Sequence, residues 1–202
     1  MYLCNLCMQK IKRPVPVCPY CRHPSIDGAT HSNCQKRLGL DGLSAIWEYE
    51  GITRKAILAL KYKYATEISK EISEHLISSL SNFVMPNVHF LTPIPVHWYR
   101  QNTRGFNQSL EIGRVVAVNM GYKFIPDLLI KKISTVPQAG LSGKARRKNM
   151  KGVFETNPVP QLQGVSCLLF DDVFTTGSTL FEATKVLKRS GVKKVWGLTI
   201  AR

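Results

Sequence analysis

The order of apolar and polar positions changes character about 40 residues into the chain. Residues 1–40 contain no periodic apolar segment, whereas alternating strand-like and helix-like blocks begin at "LSAIWEYEG". Two of these blocks, "GITRKAILALKYKY" and "TEISKEISEHLISSL", are predicted helices, and in the second an apolar residue recurs at every fourth position from Ile68 to Leu80. The pattern therefore predicts a small head in residues 1–40 and a larger domain in residues 41–202.

The later blocks continue this alternation. "NVHFLTPIP" is an apolar run stopped by prolines, which predicts a short buried strand, and "NQSLEIGRVVAVNMG" predicts a helix that ends at Gly121. "GVSCLLF" predicts a buried strand, the next block a helix that ends near Gly191, and "KKVWGLTIA" a final strand. Strands that alternate with helices predict an α/β fold, with a mostly parallel sheet flanked by helices on both faces.

One long segment interrupts the alternation. "ISTVPQAGLSGKARRKNMKGVFE" is basic, rich in Gly and Ser, and shows no clear period before Val153. A loop of this length within a compact domain is typical of a functional lid or of a disordered segment. The sequence leaves both interpretations open.

Composition and charge narrow the class of protein. The 202 residues are 44% hydrophobic, enough for a packed core, and no apolar run reaches the roughly 20 residues that span a bilayer. The first residues lack the apolar region of a secretory signal, so we expect a cytoplasmic protein without membrane insertion. The 28 Lys and Arg against 13 Asp and Glu give a formal charge of +15, which favours nucleic acid or phosphorylated ligands as partners.

The stretch "LLFDDVFTTGSTL" places two carboxylates, Asp171 and Asp172, at the end of a buried strand. Ligands of open α/β sheets bind at that edge, and the small hydroxyl-rich loop leads into a helix whose first N–H groups can hold a phosphate. A ribose 5-phosphate satisfies both features, because its hydroxyls can donate to the carboxylates while the loop binds its phosphate. The predicted phosphate-binding residues are Thr175, Thr176, Gly177, Ser178 and Thr179.

Three other interpretations of this stretch are weaker. A Walker B strand requires a G-x-x-x-x-G-K-[ST] partner, and "GLSGKA" has the wrong spacing. An aspartyl-phosphate nucleophile has no other support in the chain. A simple helix cap needs one hydroxyl residue and does not explain two acids.

Five of the six cysteines lie in the first 34 residues, which favours a metal site over a disulfide framework. Cys4-x2-Cys7 and Cys18-x2-Cys21 have zinc-ribbon spacing, so these four are the predicted ligands of a structural zinc ion. His31 and Cys34 offer an alternative, in which they replace Cys4 and Cys7. Cys167, alone in an apolar strand, is predicted to lie in the core.

Several blocks together resemble one known family. "CLLFDDVFTTGSTL" looks like the phosphoribosyl-pyrophosphate signature of type I phosphoribosyltransferases. "LTPIPVHWYRQNTRGFNQS", "VPQAGLSGKARRKNMKGVF" and the cysteine-rich head before "YEG…LKYKY" occur in the same order in ComF-type competence proteins. The resemblance implies a zinc-finger head joined to a phosphoribosyltransferase-like domain, and a role with single-stranded DNA during natural transformation.

The same resemblance assigns further residues. Asp171 and Asp172 would hold the ribose hydroxyls, and Lys61 the pyrophosphate. The family's Arg-rich block and its lid-like loop correspond to Arg100, Arg104, Asn107, Gln138, Arg146 and Arg147. The aromatic residues His97, Trp98 and Tyr99 precede Arg100, and they could either stack on unpaired bases or pack as core.

Two functions of different class stay open. The first is an enzyme that transfers a phosphoribosyl group from phosphoribosyl pyrophosphate, or a related nucleotide, with Mg²⁺ as cofactor; the sequence does not identify the acceptor. The second is a non-catalytic module that binds single-stranded DNA on its basic surface and partners a competence helicase.

Overall fold

A computed structural model of the protein describes residues 3–60, 65–80, 83–95, 107–132, 149–159 and 162–202. The head has little regular structure in it. It contains helix α1 (Asn5–Gln9) and two single turns of 3-10 helix, Ile26–Gly28 and Ser32–Cys34. The Cys-, Pro- and Lys-rich composition explains this, because the head has no periodic apolar face for a longer element to bury.

A five-stranded sheet forms the body of the protein, and its strands are β1 (Gly42–Trp47), β2 (Phe90–Pro93), β3 (Lys123–Phe124), β6 (Ser166–Val173) and β7 (Lys194–Ala201). Their order is β1-β7-β6-β2-β3, and every neighbouring pair is parallel. A separate antiparallel pair joins β4 (Leu129–Lys131) to β5 (Phe154–Thr156). The predicted parallel α/β class is confirmed.

Helices cover one face of the sheet with a continuous apolar core. They are α2 (Gly51–Ala59), α3 (Ala65–Leu80) and α4 (Gln108–Met120). The predicted apolar stripe of α3, from Ile68 to Leu80, is fully buried against Leu91, Phe170 and their neighbours. Helix α4 ends at Gly121, as predicted, where a left-handed φ of 69° stops the helix.

The other face of the sheet is covered by α5 (Ser178–Arg189) together with the β4–β5 pair. Leu180, Ala183 and Leu187 of α5 are buried there against strand residues such as Cys167 and Leu169. Helices therefore lie on both faces, which confirms that part of the prediction. The strand β6 is central, and its carboxyl end runs directly into the loop that begins α5.

The head joins the sheet through Asp41, which immediately precedes β1. Its carboxylate accepts a hydrogen bond from the Val195 N–H at 2.8 Å and contacts the Lys188 ammonium at 2.8 Å. Its backbone N–H donates to the carbonyl of Val195 at 2.9 Å. The division of the chain at residue 41 stays a prediction. The Asp41 carboxylate also accepts a hydrogen bond from the Gln35 side chain of the head at 2.8 Å, so Asp41 links the head to the sheet.

Some features differ from the sequence analysis or lie outside the described residues. The strands β3, β4 and β5 have only two or three residues each and were not predicted. Of the long basic segment, residues 133–148 lie outside the described part of the chain, so the choice between lid and disorder stays open. None of the described helices combines the length and the apolar character needed to cross a membrane.

Candidate functional site

Two carboxylates lie at the carboxyl end of β6, as predicted. Asp171 is only 8% exposed, and its Oδ1 accepts hydrogen bonds from the Asp172 N–H at 2.9 Å and from the Ser109 hydroxyl at 3.4 Å. Burial, and next the negative charge of Asp172, raise the pKa of Asp171 well above its usual range. The site therefore favours any ligand that brings hydrogen-bond donors or positive charge to this carboxyl group.

The loop after β6 turns at Gly177, where φ is 77°. A Cβ at this position would lie 2.6 Å from the ring of Phe181 and 2.8 Å from the ring of Phe174, so both the backbone conformation and the close packing require glycine. Glycine has no side chain with which to cap α5. The N-cap residue therefore leaves the first N–H groups of α5 without a capping bond from its side chain, and such N–H groups at helix N-termini commonly bind phosphate.

The hydroxyl residues of the loop are ordered by one another. The Thr176 and Ser178 hydroxyl oxygens are 2.7 Å apart, and the N–H of Ser178 points to the Thr176 hydroxyl at 3.4 Å. Thr175 is exposed and Thr179 is half-buried. The predicted phosphate-binding residues thus lie together beside the carboxylates, as the sequence interpretation requires. Their contact with a phosphate stays a prediction.

An arginine of the head reaches this loop, which the sequence analysis missed. Arg22 directly follows Cys21, and its Nη2 donates to the carbonyl of Thr175 at 2.8 Å. The guanidinium lies 4.3 Å from the centre of the Phe174 ring. Only the position of Arg22 beside a Cys-x2-Cys pair is visible in the sequence; its contact with a residue 153 positions away depends on the fold.

Three aromatic rings fasten the head against the start of α5; we call Tyr20, Phe174 and Phe181 the aromatic clamp. Tyr20 stacks on Phe181 with ring centres 4.7 Å apart, and Phe174 meets Phe181 edge-on at 5.9 Å. The Lys36 ammonium lies 4.9 Å from the Tyr20 ring, and the Tyr20 hydroxyl accepts a hydrogen bond from the backbone of Leu40. Stacked and edge-on pairs of this kind add stability beyond their buried area.

A groove of about 470 Å³ lies between the head and the loop. Its walls include Thr176 and Ser178 on one side and the cations Arg22, Lys36 and Lys185 around them. One acid, Glu182, also lines it and pairs with Lys185 at 2.8 Å. The groove therefore carries an excess of positive charge at the place where the sequence predicts a phosphate.

The predicted basic residues of the site all lie outside the described part of the chain. Lys61, Arg100, Arg104, Gln138, Arg146 and Arg147 lie outside the described residues, as do His97, Trp98 and Tyr99. Asn107 is described: it is buried and its side-chain oxygen accepts hydrogen bonds from the N–H groups of Ser109 and Leu110. The structure thus gives Asn107 the role of N-cap of α4, and its predicted contact with pyrophosphate or DNA stays a prediction.

The head brings together one group of metal-binding side chains. Ligand atoms of Cys18, Cys21, His31 and Cys34 all lie within 4.8 Å of one another. A tetrahedral zinc ion with Zn–S bonds of about 2.3 Å needs sulfur atoms about 3.8 Å apart, so the group fits such an ion. Three thiolates and one imidazole are a common structural zinc set.

The group differs from the predicted ligand set. Cys18 and Cys21 belong to the group, but Cys4 and Cys7 do not join it; their sulfur atoms are 3.5 Å apart in a separate pair at the start of α1. The group matches the alternative set with His31 and Cys34, and the identity of the metal ligands stays a prediction. The reason is geometric, because the chain turns back after Cys21 and carries His31 to the same side as the two thiols.

Polar contacts around the group orient its side chains and favour the forms that bind a metal. The Cys21 Sγ is 3.3 Å from the His31 Nδ1, and the His31 Nε2 is 3.1 Å from the carbonyl of Pro24. Because a carbonyl only accepts, Nε2 carries the proton and Nδ1 keeps its lone pair for the metal. Burial raises the pKa of Cys18, but hydrogen bonds from the N–H groups of Cys21 and His31 outweigh it and bring the pKa to about 7.

The remaining cysteine lies apart from the metal-binding group of the described residues. Cys167 is buried in the centre of β6, and burial raises the pKa of its thiol far above the usual range. A thiol in such surroundings is inert, which agrees with the predicted place of Cys167 in the core.

The chain resembles bacterial proteins along nearly its whole length. Competence protein F of Haemophilus influenzae is 31% identical over 218 residues, which cover 98% of this chain and 90% of that protein. DNA utilization protein YhgH of Salmonella typhi is 27% identical, with 97% and 89% covered. Competence protein ComFC of Bacillus subtilis is 25% identical, with 99% and 84% covered. No protein-family model matches the chain.

Solved structures give a weaker likeness. The allosteric regulatory enzyme of purine biosynthesis has a TM-score of 0.43 at 16% identity, and covers 65% of this chain and 25% of its own. Adenine phosphoribosyltransferase from Leishmania tarentolae has a TM-score of 0.38 at 14% identity, and covers 66% of this chain and 71% of its own. Both TM-scores are below 0.5, and the parallel α/β class follows from the strand order.

Proposed function

Since this chain belongs to the ComF family of competence proteins, we propose that it binds phosphoribosyl pyrophosphate, or another ribose 5-phosphate ligand, at the carboxyl end of β6. In this assignment Asp171 and Asp172 accept hydrogen bonds from the ribose hydroxyls. The loop from Thr175 to Thr179 and the first turn of α5 bind the 5-phosphate.

One observation carries the proposal: a buried carboxyl group with a raised pKa lies beside an uncapped helix start. A phosphate alone would not favour Asp171, because like charges repel. A ligand with hydroxyl groups next to its phosphate matches both halves of the site, since each hydroxyl donates to a carboxylate while the phosphate meets the N–H groups of α5.

Mg²⁺ belongs to the same proposal. It is a hard cation that prefers oxygen ligands and commonly joins one or two carboxylates to the phosphate oxygens of a substrate. Asp171 and Asp172 are the described residues that would hold it or its water ligands. When bound, the ion would neutralise charge that develops on the pyrophosphate, and the carboxylates would stabilise positive charge on the sugar.

We propose that this ligand binding serves the handling of single-stranded DNA in the cytoplasm during natural transformation. The names of two relatives, a competence protein and a DNA utilization protein, support that process, and the formal charge of +15 suits a nucleic-acid partner. The predicted DNA-binding residues Arg100, Arg104, Arg146 and Arg147 belong to this part of the proposal.

The charge also favours the alternative function, a non-catalytic module that binds single-stranded DNA and partners a helicase. In that case the loop before α5 would contact the DNA backbone. One feature argues against this alternative: the two carboxylates beside the loop would repel the phosphates of DNA. DNA has no 2′-hydroxyl that could donate a hydrogen bond to these carboxylates.

Isothermal titration calorimetry distinguishes the ribose-phosphate site from the DNA-binding module. The titration uses phosphoribosyl pyrophosphate with Mg²⁺, the wild type and the double variant Asp171→Asn/Asp172→Asn, and single-stranded DNA as competitor. We expect saturable binding that the double variant loses. If the wild type does not bind, and its DNA affinity falls steeply with salt and ignores the double substitution, the ribose-phosphate assignment is wrong and the DNA-binding module is correct.

A further inference from the structure

We propose that Arg22 is a positioning residue that couples the metal held by the head to the loop of residues 174–178. Its effect on ligand affinity rests on the function proposed above, whereas its effect on the loop does not. Arg22 lies at the junction of the two, because its backbone belongs to the metal-binding turn and its side chain ends on the Thr175 carbonyl.

The metal-binding turn fixes the backbone of Arg22. Its φ of 67° lies in the left-handed region, which a side chain with a Cβ rarely adopts. Two hydrogen bonds hold the turn: the Arg22 N–H donates to the Cys18 carbonyl at 3.0 Å, and the Cys18 N–H donates to the His23 carbonyl at 2.9 Å. Because Cys18 and Cys21 supply two of the four metal ligands, a bound ion would stabilise this turn and therefore the direction of the Arg22 side chain.

The loop depends in turn on that side chain. The guanidinium holds the Thr175 carbonyl at 2.8 Å and covers the ring of Phe174, and Phe174 packs against Gly177 in the loop. Gly177 has left-handed backbone and no side chain of its own to restrain it. Arg22 and the aromatic clamp thus add restraints from the head to a loop whose hydroxyl groups already contact one another.

Coupling of this kind acts in both directions. If the metal orders the loop through Arg22, a ligand that binds the ordered loop must also raise the affinity for the metal by the same factor. The structure thus assigns the head a role beyond its own folding: it orders the loop of residues 174–178 before the ligand binds. Allosteric couplings are commonly about 5- to 150-fold in affinity.

The first test measures the loop without any ligand. Hydrogen exchange of peptides that cover residues 174–180 is followed in the full chain, with zinc and after zinc removal. The variants are Arg22→Gly, Arg22→Lys and, as a matched control, Arg37→Ala, which removes an exposed arginine from the same head. Glycine is the appropriate truncation because it adopts a left-handed backbone without strain, so the metal-binding turn is retained.

In the wild type we expect zinc removal to speed exchange of the loop at least about fivefold. Arg22→Gly is expected to exchange faster than the wild type while it keeps its zinc, and zinc removal should change its loop exchange by a smaller factor than in the wild type. Arg37→Ala should match the wild type. Loop exchange in zinc-loaded Arg22→Gly that equals that of the wild type would overturn the proposal.

The second test adds phosphoribosyl pyrophosphate with Mg²⁺ as the probe. We expect Arg22→Gly to weaken the affinity for this probe at least about fivefold. The probe should also reduce the fraction of zinc that a competing chelator takes at equilibrium from the wild type, but not from Arg22→Gly. Arg22→Lys should recover loop protection and affinity together, because its ammonium can donate to the Thr175 carbonyl.

The outcomes keep the two proposals distinct. If the wild type ignores the probe while Arg22→Gly still loses loop protection, the proposed ligand is wrong and the role of Arg22 in the loop stands. If the wild type binds the probe and Arg22→Gly binds it equally well, the role of Arg22 is wrong. If Arg22→Lys restores affinity while its loop stays unprotected, Arg22 contacts the ligand directly and is not a positioning residue.

Discussion

The head and the sheet each carry one polar cluster, and the two clusters differ in what surrounds them. In the head, the four candidate metal ligands are linked by turns and single turns of 3-10 helix, with few buried apolar side chains nearby. At the end of β6, Asp171 and Asp172 project from a strand whose interior residues are completely buried. The first cluster replaces a hydrophobic core, whereas the second is supported by one.

The energetic consequences are opposite. A metal that binds the folded head and not the unfolded chain contributes its binding free energy to folding. The carboxylates contribute none, since the burial of Asp171 disfavours its charged form. Substitutions should therefore destabilise the protein at the first cluster and stabilise it at the second.

The largest effect is expected for Cys18→Ser. This substitution removes the most buried ligand of the group, and structural zinc sites contribute about 10–16 kcal/mol of binding free energy in isolated peptides at neutral pH. We expect loss of stoichiometric zinc and melting of the head, while the parallel sheet keeps its far-UV circular dichroism. Metal content by atomic absorption and a thermal melt measure the two parts.

Cys4→Ser is the matched control, because Cys4 lies outside the four-residue group. It should retain zinc and melt like the wild type. Zinc lost in Cys4→Ser but kept in His31→Ala would restore the ligand set predicted from the sequence spacing.

The same contrast explains which features could be predicted from the sequence. The residues of the site at β6 are consecutive in the chain, so the buried strand, Asp171, Asp172 and the glycine-containing loop could be predicted from the local sequence. The buried stripe of α3 could be predicted in the same way from its four-residue spacing. In the head, both Cys7 and His31 lie about ten residues from the Cys18–Cys21 pair. The entropy of closing loops of similar length is nearly equal, so spacing alone could not choose between the two sets.

Other features depend on contacts between distant residues. Arg22 meets Thr175 only because β1 and β6 flank β7 and bring the head over the start of α5. The strands β3, β4 and β5 are too short for an alternating pattern to appear, and their neighbours in space define them. The roles of such residues can be recognised only once the three-dimensional fold is known.

The second effect in size concerns the junction between the two regions. Asp41→Ala leaves the Lys188 ammonium, whose side chain is 8% exposed, and the Val195 N–H without their carboxylate. Removing one partner of a buried ion pair costs about 3–5 kcal/mol, and we expect the lower end because Asp41 is 19% exposed. Urea denaturation measures this loss of unfolding free energy, with zinc content as the control. Retention of wild-type stability would mean that the head is not fastened to the sheet at this residue.

A smaller effect of opposite sign is expected for Asp171→Asn. The folded state raises the pKa of Asp171, so it binds this proton more tightly than the unfolded chain does. The contribution of Asp171 to stability therefore falls as the pH rises above the unfolded value of about 4. Asparagine keeps the oxygen that accepts from the Asp172 N–H and removes the charge. At neutral pH we expect a gain of about 0.5–2 kcal/mol, the range that is common for single stabilising substitutions.

The pH dependence of this gain in stability tests whether the charge of Asp171 causes it. Thermal melts of both proteins from pH 4 to pH 8 should show a difference that is near zero at pH 4 and grows with pH. Loss of zinc in acid affects both proteins alike and cancels in the difference. Asp127→Asn, which changes an exposed turn residue, should show no such trend. A variant less stable than the wild type at pH 8 would contradict the opposite signs of the two clusters.

The smallest effect is expected where the head meets the sheet region at the surface. Lys12 and Glu50 form an ion pair of 3.0 Å, but their side chains are 69% and 58% exposed. Water and salt screen such a pair, and the order it imposes on two long side chains offsets the attraction. Lys12→Ala should therefore melt at the wild-type temperature, at low and at high salt, unlike Asp41→Ala. A clear fall in melting temperature at low salt alone would show that exposed charges also fasten the head, and the burial of Asp41 and Lys188 would then not be what distinguishes the junction.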